Sequence, residues 1–391
     1  MDMPSFQFLA APLRLHYGAD CLLQLGRELD RVKSQRAAIV CGASLVHEAT
    51  LVARVSAAMG GRFAGVVARA RAHSPVSQVE MAAADLVALN ADAVVAVGGG
   101  SAIVTARAAS IIAAEASNVH SLCTVPDGNG GLTSPKLLAP KMPQFVVPTT
   151  PTTAMVKAGS AVFDSVSGKR LALFDPKTRA QAIFLDPHLL QSAPQALVAS
   201  AAINTFATAV EGLMSRTGHP LSDATLMHSV RLLARLLPAV ALRDSAALRG
   251  ELALAAILCG QGTDHTGAGI TTVLGHAIGA RHGLENGVAN AMILPHAIRF
   301  NAAHAAEGLA KIAAALGLPS AEARSELAAI VAEIEVIFDA LRIARGIRHT
   351  GIVAEALPTI AESAIDDWFL RGNPRPIRNS GELLEVLKLA W

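Results

Sequence analysis

The stretch DAVVAVGGGS, residues 92–101, decides the fold. Asp92 to Val97 is a short apolar run rich in valine, and three glycines and a serine end it abruptly. An Ala-rich segment of helical character then continues to about Ala114. The spacing predicts a buried strand, a Gly-rich turn and a helix. Consecutive glycines let a phosphate approach the backbone, the free N–H groups at a helix start face an anion, and Ser101 can add a hydrogen bond. Glycine also serves ordinary tight turns. Its place here, between a buried strand and a helix, points to a pyrophosphate cradle made by Gly98, Gly99, Gly100 and Ser101.

The same rhythm extends to both sides. Strands are expected at 37–41, closing on Gly42, at 62–67 and at 144–147, stopping at Pro148; helices are expected at 45–59 and 76–89. Strand and helix alternating at this pace imply a parallel sheet covered on both faces. From about Pro187 the pattern turns helical, with segments at 195–215, 221–237, 245–262, 266–281, 287–300, 304–315, 321–342, 350–363 and 380–390. Pro220, Pro238, Pro295 and Pro319 punctuate them. Two domains are expected: 1–187, α/β and Rossmann-like, and 188–391, all α. The PDGNGG segment at 126–131 reads as an exposed turn.

Composition narrows the classes. The chain has 391 residues, 52% hydrophobic and only 16% charged, which excludes disorder as its dominant state. A net charge of +2 without a basic block argues against nucleic acid as a partner. Cys21, Cys41, Cys123 and Cys259 show no ligand-like spacing and read as free buried thiols of a reducing cytoplasm. No basic region precedes the apolar part of the N-terminus, so no signal peptide is expected. The longest uncharged span, between Asp186 and Glu211, carries Pro187, His188, Gln191 and Asn204, a poor mixture for crossing a bilayer. A soluble cytoplasmic protein acting on a small molecule, with no membrane partner, is the expectation.

Other residues gain meaning by position. Pro148-Thr149-Thr150-Pro151-Thr152-Thr153 follows a strand, where the hydroxyls can meet a ribose or amide, or simply satisfy their own turn. Asn204 and Thr208, and likewise Thr272 and His276, are four apart and share a helix face. Such a histidine is a pocket residue or a satisfied core residue.

Taken in order, these features resemble the iron-containing alcohol dehydrogenase family. The likeness lies in DAVVAVGGGSAI (92–103), SPKLLAPKMPQFVVPTT (134–150), GKRLALFDP (168–176), FLDPHLL (184–190), AVEGLMS (209–215), GHAIGA (275–280) and GVANAMILPHAIRFN (287–301). RFAGVVARARAHSPVSQV (62–79), Asn204 and NPRP (373–376) look most like the maleylacetate reductase branch. The resemblance implies a dehydroquinate synthase-like fold, with a dinucleotide-binding α/β domain, an all-α domain, an active cleft between them, and a homodimer. It implies a cofactor site at Gly98, Gly99, Gly100, Ser101, Thr149, Thr150 and Gly42 and puts His276 near the nicotinamide end of the cleft; Lys169 and His282 are the further candidate catalytic residues.

Departures from the family pattern carry a second message. The family holds a divalent metal with one Asp and three His; read onto this chain, those places fall at Asn204, Thr208, Thr272 and Asn286. Neutral amides and hydroxyls are weak ligands for a transition ion, so no metal is expected. Val104 stands for an Asp and Arg107 for a Lys. Gly42 occupies a place where many members carry an Asp against the adenosine ribose, so NADP(H) is as suitable as NAD(H). The implied function is a metal-independent oxidoreductase using NAD(P)H on an activated oxo-acid or enone, as maleylacetate reductase does. The alternative is a cleft reused for a non-redox isomerisation, elimination or condensation, or for ligand binding without turnover.

Overall fold

A computed structural model of the chain describes residues 5–47, 49–127, 131–319 and 322–391. It contains two compact units. One is Pro12–Ala193; the other joins Pro194–Trp391 to the described residues up to Ala11.

The first unit runs β1 (Arg14–Tyr17), α1 (Leu25–Arg31), β2 (Ala37–Gly42), α2 (Ala43–His47), α3 (Ala49–Met59), β3 (Phe63–Ala70), α4 (Val76–Ala88), β4 (Ala93–Gly98) and α5 (Gly100–Glu115). It continues through β5 (Cys123–Pro126), β6 (Leu132–Thr133), β7 (Gln144–Pro148), β8 (Gly159–Asp164), β9 (Lys169–Phe174) and β10 (Ala180–Leu185). Six strands pair in parallel in the order β1-β10-β7-β4-β2-β3. Alternation along them explains the two covered faces. Ala37, Ile39, Cys41, Val95, Val97, Phe145 and Phe184 pack into one core with Leu25, Leu51 and Val55 of α1 and α3. The intervening Ala38, Val40, Val94, Ala96 and Val146 are equally buried, on the side where successive residues of a strand must point away.

From β2 the chain first adds β3 on one side and then β4 on the other. This is the flavodoxin-type doubly wound order, with its switch point between β2 and β4, where ligands bind at the carboxyl ends of strands. A second sheet, β6-β5-β9-β8, is antiparallel. The turn expected at 126–131 falls largely on residues 128–130, outside the described residues.

The helical unit comprises α6 (Gln195–Met214), α7 (Pro220–Leu242), α8 (Ala246–Thr266), α9 (Ile270–His282), α10 (Asn286–Asn301), α11 (Ala306–Leu316), α12 (Ala323–Ala340), α13 (Leu357–Ala364) and α14 (Ser380–Ala390). α6 is central and packs against α7, α8, α9 and α10. α6 and α7 are each long and apolar enough to cross a membrane by length and composition. Packing accounts for the apolar sequence of α6, whose most hydrophobic stretch is 78% buried inside the protein.

Two expectations are corrected. Helix α7 does not stop before Pro238 but runs through it to Leu242. The missing N–H costs one bond near the helix end, while Leu236, Leu237 and Val240 stay buried. The segment at 350–363 is helical in the regular sense only over Leu357–Ala364, preceded by 3₁₀ turns.

Candidate functional site

The glycine turn of the first unit is built by steric demand. Gly98 has φ +137°, and a Cβ there would meet the Ala102 Cβ at 3.0 Å. A Cβ on Gly99 would meet Thr150 Oγ1 at 3.0 Å, and one on Gly100 would meet Thr152 Oγ1 at 3.0 Å. Parallel pairing sets Gly98 beside Pro148, and the Thr149 N–H donates to the Gly98 carbonyl at 3.0 Å. The glycine turn and the Pro-Thr-Thr loop therefore form one cradle. Gly98, Gly99, Gly100, Ser101, Thr149 and Thr150 come together as expected. Gly100 and Ser101 open α5, where N–H groups have no carbonyl one turn back. Thr152, one of the hydroxyls of the Pro-Thr-Thr-Pro-Thr-Thr run, also caps the following 3₁₀ turn through Ala154 N–H and joins the cradle. Gly42 closes β2, next to β4 at the switch point.

Arg107 has a different part. It is fully buried in α5 and donates to the carbonyls of Gly159 (2.6 Å) and Ala154 (2.7 Å). It braces the segment after the Pro-Thr-Thr loop. Lys169 lies exposed at the start of β9, paired in register with Asp164.

In the helical unit the centre is Glu211, a carboxylate wholly buried in apolar α6. It accepts from the N–H groups of Gly269 (3.1 Å), Thr271 (2.5 Å) and Thr272 (3.1 Å), and from Thr272 Oγ1 (2.6 Å). Glu211 thus caps α9, taking the donors and the positive end of its dipole. Burial nevertheless pushes its carboxyl above the usual range, against the pull of these donors. Gly269 must be glycine, because a Cβ there would strike Glu211 and Asn373 at 2.9 Å. Asn373, the first residue of NPRP, accepts from Ile270 N–H (3.4 Å) and exchanges side-chain hydrogen bonds with Asn301. The acid inside α6 and the motif near the C-terminus so fix the helix that carries Thr272 and His276.

Around this clasp lie three of the four positions that the family resemblance singles out. Thr208 Oγ1 donates to the Asn204 carbonyl at 2.7 Å and lies 3.5 Å from Thr272 Oγ1. Asn290, turned so that its nitrogen donates to the carbonyls of Thr271 (3.0 Å) and Asn286 (3.2 Å), meets the Asn204 side chain at 3.0 Å. The fourth, Asn286, has a buried Oδ1 with no hydrogen-bond partner among the described residues. His276 is half-buried, its ring 6.3 Å from that of Phe369. His282 is exposed as the last residue of α9, six residues on and so on another helix face. Among the described residues no group of three or more His, Cys, Asp or Glu is arranged to hold a metal ion.

The first unit is thus a nucleotide-type sheet carrying a glycine cradle, and the second a helical unit with a clasped polar cluster. Residues 12–187 match the model of the iron-containing alcohol dehydrogenases, and residues 198–391 match that of the C-terminal region of the Fe-containing alcohol dehydrogenase family. The lactaldehyde reductase of Escherichia coli K12 is 30% identical over 307 residues, 77% of each chain. The maleylacetate reductase of Burkholderia cepacia is 28% identical over 82% of each. The structure of sulfoacetaldehyde reductase from Bifidobacterium kashiwanohense, in complex with NAD+, superposes with a TM-score of 0.84 at 20% identity, covering 98% of both chains. The chain belongs to the iron-containing alcohol dehydrogenase family and is an oxidoreductase of that family.

Proposed function

We propose that this protein is a metal-independent, NAD(P)H-dependent reductase of an activated oxo-acid or enone. The observation that carries the reading is the side-chain chemistry at Asn204, Thr208, Thr272 and Asn286. All four are neutral, the Thr272 hydroxyl is spent on Glu211, and the Thr208 hydroxyl is spent on the Asn204 carbonyl. These residues do not fit a divalent transition ion, whose charge they would leave uncompensated. In a metal-assisted reductase the ion stabilises a developing alkoxide by several kcal/mol. A substrate that spreads charge by itself needs less help. A dinucleotide held at the glycine cradle would supply hydride to an electron-poor C=C, and the displaced electron pair would rest on the adjacent carbonyl as an enolate. Hydrogen-bond donors would stabilise that enolate, and a protonated His276 would supply the proton to carbon and regain one from solvent.

The cradle at Gly98–Ser101 and Thr149–Thr150 is the proposed seat of the dinucleotide, in keeping with the NAD+ held by the sulfoacetaldehyde reductase relative. With Gly42 at the end of β2, no carboxylate on that residue opposes a 2′-phosphate, so both NADH and NADPH are proposed. The maleylacetate reductase relative supports the substrate class. A cytoplasmic homodimer is the proposed working form, to be checked by light scattering.

The deciding experiment is oxidation of NADH or NADPH with maleylacetate in the presence of EDTA. Turnover that persists is the expected result. Turnover abolished by EDTA and restored by Fe²⁺ or Zn²⁺ overturns metal independence. Absence of affinity for either dinucleotide overturns the redox reading and leaves a reused cleft.

A further inference from the structure

Gly42 ends β2, yet neither backbone nor space demands a glycine there. Its φ is not in the left-handed region. Among the described residues, a Cβ would meet only the Ala70 carbonyl oxygen at 3.5 Å and Ser44 Oγ at 3.8 Å, both ordinary contacts. The missing side chain leaves open space at the carboxyl end of the strand, beside the switch point.

Arg71 borders that space from the neighbouring strand. Parallel pairing sets Gly42 beside Ala70, the last residue of β3. Arg71 follows, and its Nη1 donates to the Ala70 carbonyl at 3.2 Å. This is the same oxygen that a Cβ on residue 42 would meet, so the guanidinium lies beside the place such a side chain would take. Arg69 of β3 is answered by Asp85 at 2.7 Å, whereas Arg71 is exposed and forms no ion pair among the described residues.

The loop that carries Arg71 is strained and firmly held. His73 (φ +61°) and Ser74 (φ +49°) are successive non-glycine residues in the left-handed region. Such a conformation persists only where its surroundings enforce it, and it clusters at ligand clamps. Ser74 N–H donates to the Arg71 carbonyl (3.0 Å), and the Ser74 carbonyl accepts from Phe163 N–H (3.1 Å). Ser74 Oγ donates to the Ser101 carbonyl (3.2 Å) and accepts from Thr105 Oγ1 (3.2 Å). Ser101 belongs to the glycine cradle, so the loop of Arg71 and the proposed pyrophosphate seat share one frame.

A guanidinium fork with donors to spare matches phosphate oxygens, and the Ser44 hydroxyl adds a further donor. In doubly wound folds an acidic side chain near this place binds the ribose 2′-hydroxyl, and an arginine accommodates a 2′-phosphate. We infer that Arg71, with Ser44, holds the 2′-phosphate and makes NADPH the preferred cofactor. The inference rests on the dinucleotide seat proposed above and decides between the two cofactors proposed for it.

Calorimetric titration of the full chain with NADPH and with NADH tests it. NADPH is expected to bind about tenfold tighter, and Arg71→Ala to bring the two affinities together by weakening NADPH. Gly42→Asp should reverse the preference, since its carboxylate would pair with Arg71 and repel the phosphate. Wild-type affinity for NADH equal to or tighter than for NADPH overturns the inference and leaves the seat standing. A preference undiminished in Arg71→Ala does the same. No saturable binding of either dinucleotide overturns the seat itself, and the inference with it.

Discussion

Thr272→Val tests the clasp around Glu211. The substitution keeps the branched shape and deletes the hydroxyl that donates to Glu211 at 2.6 Å, one of four donors to a fully buried carboxylate. A hydrogen bond to a charged group contributes about 1.5–3 kcal/mol, and one to a neutral group about 0.5–1.5 kcal/mol. The Glu211 carboxyl is raised by burial, so the folded protein holds its proton more tightly than the unfolded chain does. Its contribution is therefore complete below the ordinary carboxylate range and is lost as pH rises through the folded value. Losing a donor to the anion steepens that decline. The expected destabilisation is about 1 kcal/mol where the carboxyl is protonated and rises toward about 2 kcal/mol as the anion forms with increasing pH, with Thr272→Ser close to wild type throughout. Urea unfolding followed by far-ultraviolet circular dichroism across a pH series measures it. A Val variant within about 0.5 kcal/mol of wild type at every pH, or a Ser variant as damaged as Val, refutes the argument.

Gly98→Ala should cost about 1–3 kcal/mol, because φ +137° and the contact with Ala102 leave no room for a Cβ. Gly99→Ala, at φ −81°, adds no backbone strain but presses its Cβ on Thr150 Oγ1 at 3.0 Å, so it should cost less stability than Gly98→Ala and weaken dinucleotide binding by calorimetry. Asp92 is held below the usual carboxylate range. Burial opposes this, but Ser34 Oγ and the N–H groups of Gln35 and Arg36 prevail. Its stabilisation is present above the unfolded carboxyl value, about 3.9, and is lost as pH falls through the lower folded value; Asp92→Asn should flatten that part of the acid unfolding profile. Burial pushes the thiols of Cys21 to about 12 and of Cys41 and Cys123 to about 11. Ellman's reagent should react slowly with the native protein at pH 8 and with four thiols once guanidinium unfolds it.

The central strands were legible because burial on both faces makes them uninterrupted apolar runs, as in 93–98 and 144–148. β1 was not, since Arg14 and His16 break any apolar run; those side chains instead answer the buried Glu28 at 2.9 and 3.2 Å. The β8–β9 hairpin was equally silent, its half-exposed strands depending on each other and on β5 rather than on local pattern. The glycine cradle and the hydroxyl run at 148–153 could be read from the sequence, but the closeness of Thr152 to Gly100 could not, because it arises only when β4 and β7 pair. Glu211 left one trace, a lone acid in an otherwise apolar helix. What it clasps lies about 60 residues away and waited on the fold.

The extreme N-terminal residues bear on how the molecule is made. Phe6 stacks on His219 at 4.4 Å, and Phe8 stacks on His265 at 4.8 Å, so this short arm belongs to the helical unit although the sheet is synthesised between them. At about 5–20 residues per second, the arm leaves the ribosome on the order of 10–40 s before His219 does. Until then the two phenylalanines lack the imidazole rings on which they stack in the folded protein. Any attempt to express the helices alone from Pro194 would strip those rings from His219 and His265.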